Sequence, residues 1–181
     1  MISPTQERSD VLKDLNAAAE VLVSSIEPRL VPRNGGNIGY AVRGARDGNG
    51  IAAISGGFTV HEGSVRCAGP AGFGADPNVS RIILTVMKFD PDIRSAGILR
   101  YSCEAFRILS EMFMESAEAD PGRFPAVGST MDWSVASVCT DGVPPVVAIR
   151  REDPETGIIC IFGEEPREIS SNIIILSNRI I

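Results

Sequence analysis

The chain has 181 residues, 44% of them hydrophobic and 22% charged, and a formal net charge of −6. The length fits one domain over 1–181 with a sizeable core, and the negative balance excludes a whole-surface attraction to nucleic acid or to an anionic membrane. The longest apolar runs, such as Ile173–Leu176, are too short to span a bilayer, and the polar start MISPTQERSD lacks the apolar core of a signal peptide, so the expectation is a cytoplasmic protein.

In chain order, Val11, Leu15, Ala18, Leu22 and Ile26 recur at spacings of three and four and predict a helix ending near Glu27, because Pro28 disfavours helix at the preceding residue. Asn34-Gly35-Gly36 is a turn signal, followed by strands at Ile38–Val42 and Ile51–Ile54. His61-Glu62-Gly63 predicts a hairpin turn between Phe58–Val60 and a strand at about Ser64–Cys67. Asp76 is a good N-cap and Pro77 a good first residue for a helix whose buried face is Val79, Ile82, Ile83 and Val86. A strand at Ile98–Tyr101 and a helix over Glu104–Glu115 follow, then a loop, SAEADPGRFP. In GSTMDWSVASV, Ser129 and Asp132 have the spacing of a capping box, with Asp in the usual Glu position. Strands at Val146–Ile149 and Ile158–Phe162 and a helix over Glu165–Leu176 complete a mixed α/β chain.

Several stretches permit specific chemistry. The four cysteines, Cys67, Cys103, Cys139 and Cys160, form no CxxC pair, and their apolar or helical neighbours suit buried free thiols. The single histidine, His61, cannot build a metal site that needs two or three imidazoles. The loop Gly69-Pro70-Ala71-Gly72-Phe73-Gly74-Ala75-Asp76 joins permissive glycines to a helix start, which together make an anion site, with Arg81 adding charge one turn on. Its plain reading is a tight turn with an ordinary cap. It has no GK[ST] ending, so it is not a P-loop. Ser129 and Thr130 at the next helix start also suit an oxyanion, or simply a cap, while Trp133 lies off the apolar face and can stack on a ring or cover the helix start. Arg94 and Arg100 suit bidentate anion contacts or a salt bridge. Asn34-Gly35-Gly36-Asn37 reads as a pocket wall or a β-turn, and the acidic GEEPRE as a solvated helix start.

Taken together, GGNIGYA (35–41), ISGGF (54–58), AGPAGFGADPNVSRIIL (68–84), FDPDIRSAGILRYS (89–102), GSTMDWSV (128–135) and IFGEEP (161–166) resemble the ThiN domain, the archaeal-type thiamine-phosphate synthase domain often fused to a pyrimidine kinase. The resemblance runs in family order over residues 11–177. It implies a three-layer α/β/α sandwich around a mostly antiparallel mixed sheet, like the class II aldolases without their metal histidines. It implies an activity joining hydroxymethylpyrimidine diphosphate to a thiazole phosphate, giving thiamine phosphate and pyrophosphate. It also extends to this chain the family's tendency to form a homodimer.

The chain departs from that pattern where the synthase chemistry is attributed. The family's Gly-Arg-Ile turn is Gly56-Gly57-Phe58 here, placing Gly57 at the arginine position. The family's Ser-Ser-His-Val-Ala-Arg is Asp76-Pro77-Asn78-Val79-Ser80-Arg81, placing Asn78 at the histidine position. A Gly-Lys-Glu-Pro stretch is replaced by Pro154-Glu155-Thr156-Gly157. A neutral amide is neither a general acid nor a cation, and glycine has no side chain. The resemblance therefore points to a family branch that binds thiamine phosphate as a regulatory ligand without making it, with no catalytic residue and no cofactor. In that branch the domain follows a DNA-binding helix-turn-helix, which here would lie outside this chain. The expected ligand contacts are Gly72, Gly74 and Asn78 with Arg81 at one phosphate and Ser129 and Thr130 at a second oxyanion or the pyrimidine. Asn37, Arg94 and Trp133 complete the expected pocket. The alternative is an active synthase using Arg43, Arg66 or Arg81 for the diphosphate, with Mg²⁺.

Overall fold

The computed structural model describes residues 1–120 and 131–180. Its centre is a seven-stranded mixed sheet built from β1 (Asn37–Ala41), β2 (Ile51–Ile54), β5 (Ala71–Phe73), β6 (Ser95–Arg100), β7 (Ser116–Ala119), β8 (Val146–Ile149) and β9 (Ile158–Gly163). The order is β5-β2-β1-β6-β9-β8-β7, and every pairing is antiparallel except β7 with β8. The hairpin of β3 (Phe58–His61) and β4 (Ser64–Cys67) stands apart as a second, two-stranded sheet. Its turn places Glu62 and Gly63 at positive φ, as the tight hairpin turns require.

Side chains alternate across the large sheet and divide the core in two. Ile38, Tyr40, Ala52, Ile54, Leu99, Ile159 and Ile161 face one cluster, with α1 (Pro4–Ser25), α3 (Cys103–Phe113) and α5 (Pro166–Arg179). Ala41, Ile51, Ala53, Ala96, Ile98, Cys160 and Phe162 face the other, with α2 (Pro77–Met87) and α4 (Trp133–Ala136). Period-two alternation in strands buried on both sides produces this division. Helices thus cover both faces. Two glycines let them sit close: a Cβ on Gly39 would strike Val79 and Ile83 of α2, and one on Gly97 would lie 2.7 Å from Ile169 of α5.

Helix limits follow local chemistry. Ser3 caps α1 by accepting from Gln6 N–H, and Pro4 takes the first position, so the helix begins a turn and more before its first buried residue, Val11. Asp76 caps α2 as expected, and Ser102 caps α3 by accepting from Ala105 N–H at 3.0 Å. No helix among the described residues is long and apolar enough to cross a membrane.

Four local expectations are corrected. The glycine loop contains the edge strand β5, paired to β2 through Ala53 and Gly72. The segment read as a loop after α3 begins with β7, which pairs with β8. Asp132 is itself the N-cap of α4, accepting from Val135 N–H at 3.1 Å, so that helix starts three residues later than the capping-box spacing implies. Cys139 and Cys160 are buried, but Cys67 and Cys103 are exposed, because they sit on the outer hairpin and at the first position of α3. All four thiols are free. Titration with a colorimetric thiol reagent is expected to count two fast-reacting thiols in native protein and all four after denaturation.

Candidate functional site

The clearest concavity lies on the α2/α4 face, where β1 and β9 begin and β6 and β8 end. It has a volume of about 570 Å³, within the usual range for small-molecule sites. Its walls come from the loop 32–35, Asn37, the first turn of α2, the start of α4, the apolar sheet residues Ile98, Ile149 and Ile158, and the turn at 154–156.

Asn37 is the fixed point of this wall. It is 4% exposed, and its amide is fully used. The Nδ2 group donates to Ile54 O at 2.9 Å and to Asp76 Oδ2 at 2.7 Å. The Oδ1 atom accepts from the N–H groups of Ile38 at 2.8 Å and Ile54 at 3.0 Å. Two donors and two acceptor sites are the whole capacity of an asparagine amide. Asn37 therefore lines the cavity while spending its polar groups on joining β1, β2 and the cap of α2.

The start of α2 differs from the expectation of free helix donors. Pro77 has no N–H. The N–H groups of Asn78 and Val79 donate to Asp76 Oδ1 at 2.9 and 3.1 Å, and that of Ser80 donates to the Asp76 carbonyl at 3.1 Å. All early donors of the helix are taken, and a carboxylate stands where an anion would approach. What this turn offers the cavity is side chains. Arg81 Nη2 donates to Asn78 Oδ1 at 3.1 Å, and both residues line the cavity.

Three arginines and three carboxylates line the cavity: Arg33, Arg81 and Arg151 against Asp76, Asp132 and Glu155. Glu155 is held by Arg33 at 2.7 Å and by Arg100 at 3.7 Å. Both pairs are at least partly exposed, so they order the rim more than they stabilise the fold. Arg81 and Arg151 have no carboxylate partner among the described residues. Asp132 uses one carboxylate oxygen on Val135 N–H, and its own N–H donates to Thr85 Oγ1 at 2.8 Å. Its charge is felt inside the sheet: burial pushes the Cys160 thiol far up, and the Asp132 carboxylate pushes it further. Trp133, 44% exposed, adds a flat apolar surface beside Asp132.

Of the residues expected at a ligand, Asn37, Asn78, Arg81 and Trp133 come together here. Ser129 and Thr130 lie outside the described residues. Gly72, Gly74 and Arg94 are elsewhere. Gly72 is in strand β5, and Gly74 N–H donates to Ile51 O at 3.0 Å. Arg94 is buried, donates to Ala41 O at 2.9 Å and Tyr40 Oη at 2.8 Å, and lies 3.8 Å from Glu7 of α1. Of the arginines weighed for a diphosphate, Arg81 lines the cavity, whereas Arg66 is on the outer hairpin and Arg43 lies 4.0 Å from Asp92. Gly57 has φ +71, and a Cβ there would collide with the Gly36 carbonyl oxygen, so no side chain fits this turn without backbone movement. The cavity-lining charged residues that sequence reasoning did not place at a ligand are Arg33, Arg151 and Asp132; the pair Arg150-Arg151 just after β8 carried a charge signal, but not which of the two faces the cavity.

The chain matches the family model described as thiamine-phosphate synthase ThiN over residues 14–175. It belongs to the ThiN family. It is similar to the bifunctional thiamine biosynthesis protein ThiDN of Methanocaldococcus jannaschii, with 27% identity over 169 residues, 92% of this chain and 40% of the relative. The chain thus spans about 40% of that relative's length. A solved C-terminal domain of phosphomethylpyrimidine kinase superposes with a TM-score of 0.86 at 27% identity, covering 94% of this chain and 100% of that one. A sugar-phosphate aldolase from Thermotoga maritima superposes with a TM-score of 0.54 at 12% identity over 94% of this chain and 91% of its own, a likeness of fold alone.

Replacing Asn37 by alanine leaves buried backbone groups of β1 and β2 unpaired and releases Asp76. The expected loss of stability is on the order of 3 kcal/mol, read from the midpoint of urea unfolding at unchanged slope.

Proposed function

We propose that this ThiN domain binds thiamine phosphate in the cavity described above and acts as a ligand-sensing domain rather than as a synthase. The observation that carries the reading is the first turn of α2. There Asn78 presents a neutral amide held by Arg81, where the family pattern implies a histidine. An amide neither gives nor takes a proton at neutral pH. The closed glycine turn at Gly57 supports the same reading, since it has no room for a cationic side chain.

In this account Arg81 and Arg151 hold the phosphate. Arginine suits a phosphoryl group because its fork of donors matches the oxygens and its charge is permanent. Ile98, Ile149 and Ile158 form the apolar floor beneath the two rings, and Trp133 closes one side. Sensing fits the geometry as well: Arg33 and Glu155 join two loops across the rim, so a ligand between them can alter what the outer surface presents. A DNA-binding domain outside this chain, in the cytoplasm, would read that change; a second copy of the chain is the other partner the family resemblance implies.

The second reading, an active synthase, has one observation in its favour. Arg81 and Arg151, which have no carboxylate partner among the described residues, are a reasonable seat for a leaving diphosphate. Among the described residues, a Mg²⁺ ion serving that diphosphate would find one carboxylate oxygen free of hydrogen bonds and ion pairs, on Asp132, because Asp76 is hydrogen-bonded and Glu155 is ion-paired. Mg²⁺ commonly relies on one or two carboxylates with substrate phosphates, so this fit is partial. Among the described residues no group of three His, Cys, Asp or Glu is arranged to hold a metal.

Calorimetric titration with thiamine phosphate, paired with a product assay using both precursors and Mg²⁺, separates the readings. The expected result is saturable binding with no turnover, and binding weakened roughly 10- to 100-fold in Arg81→Ala, as loss of a charged hydrogen bond implies. Turnover by the unmodified chain would establish the synthase instead.

A further inference from the structure

The cavity is not simply a basic hole. Among the described residues its three arginines are balanced by three carboxylates, so their formal charges cancel. A site built only for phosphate would carry an excess of cations. The carboxylates differ in what they have left to offer. Asp76 accepts two N–H groups on Oδ1 and the Asn37 amide on Oδ2. Glu155 is shared between Arg33 and Arg100. Asp132 makes one side-chain hydrogen bond among the described residues, Oδ1 accepting from Val135 N–H, and its other oxygen has neither a hydrogen bond nor an ion pair among them. It is half-buried, next in sequence to Trp133, and both residues line the cavity. A carboxylate with an open oxygen beside an indole is the combination that attracts a flat organic cation, by charge and through the ring quadrupole.

We infer that the cavity selects a zwitterion: Asp132 and Trp133 recognise a cationic heteroaromatic ring while Arg81 and Arg151 take its phosphate. Thiamine phosphate is such a molecule through its quaternary thiazolium. The inference rests on the thiamine-phosphate reading and deepens it, because it makes the ring charge a condition of recognition. The site would then favour the joined product over anions of similar size that lack the cation. It would report the finished cofactor precursor and ignore phosphate esters in general.

The test is calorimetric titration in EDTA, which removes any contribution of a divalent metal bridging Asp132 to phosphate. Two ligands are compared: thiamine phosphate and its neutral thiophene isostere, which keeps the phosphate and the pyrimidine and lacks only the ring charge. The proteins are the unmodified chain and Asp132→Asn. Asparagine caps helices as well as aspartate, so the variant keeps the Val135 bond and the fold. The charged ligand is expected to bind at least tenfold tighter than the isostere. Asp132→Asn is expected to cut that preference at least fivefold while leaving the isostere's affinity within twofold. Trp133→Leu is expected to reduce the same preference. Equal affinity for the two ligands, or a preference untouched by Asp132→Asn, overturns the inference while leaving thiamine-phosphate binding in place. Absence of binding by either ligand overturns both.

Discussion

The four hydrogen bonds of Asn37 hold together the two features on which the site depends. A single buried amide ties the start of β1 to the end of β2 and carries the N-cap of α2 on its remaining donor. Buried polar groups of this kind are costly unless every valence is met, and here each one is. The result is a helix whose first turn is set relative to the sheet from inside the core. Asn78 and Arg81 therefore reach the cavity from a rigid base. The same arrangement consumes Asp76 and the early N–H groups of α2, so this turn faces the cavity with side chains rather than with free backbone donors.

Close packing enforces the same geometry from the other side. Gly39 lets Val79 and Ile83 settle onto β1, and Gly97 lets Ile169 settle onto β6. Helices seated this closely cannot slide without creating cavities or collisions. The cavity at the end of the sheet is thus bounded by fixed walls along α2 and the strands, with its exposed ion pairs confined to the rim. The framework around the cavity depends on Asn37, on Asp76 and on glycines, Gly57 among them, whose turns and close approaches leave no room for a side chain.

Much of this was legible in the sequence, and the limits have physical causes. The periodic faces of α1 and α2, the strand Ile51–Ile54 and the cap-proline pair Asp76-Pro77 are strong local signals, and the structure carries them directly. The edge strand β5 was hidden because it is three residues long and Ala and Gly, two of the three, are depleted in strands, while its pairing with β2 is a tertiary fact. β7 was hidden for the same reason: SAEA reads as loop or helix until β8 lies beside it. At the site, glycine-rich loops advertise backbone donors, but sequence cannot say that Asp76 has already taken them. Arg94 looked like an anion ligand because an arginine's charge is visible and its burial against Tyr40 is not. Arg33, Arg151 and Asp132 come from three separate segments, and only the fold brings them to one wall.

The most direct test of the account is a crystal structure of this chain soaked with thiamine phosphate. The account predicts the phosphate between Arg81 and Arg151, the rings over Ile98 and Ile158, and the Asn37–Asp76 bond intact beneath them. A phosphate seated on the Gly72–Gly74 turn, or in contact with the backbone of α2 after displacing Asp76, would contradict it.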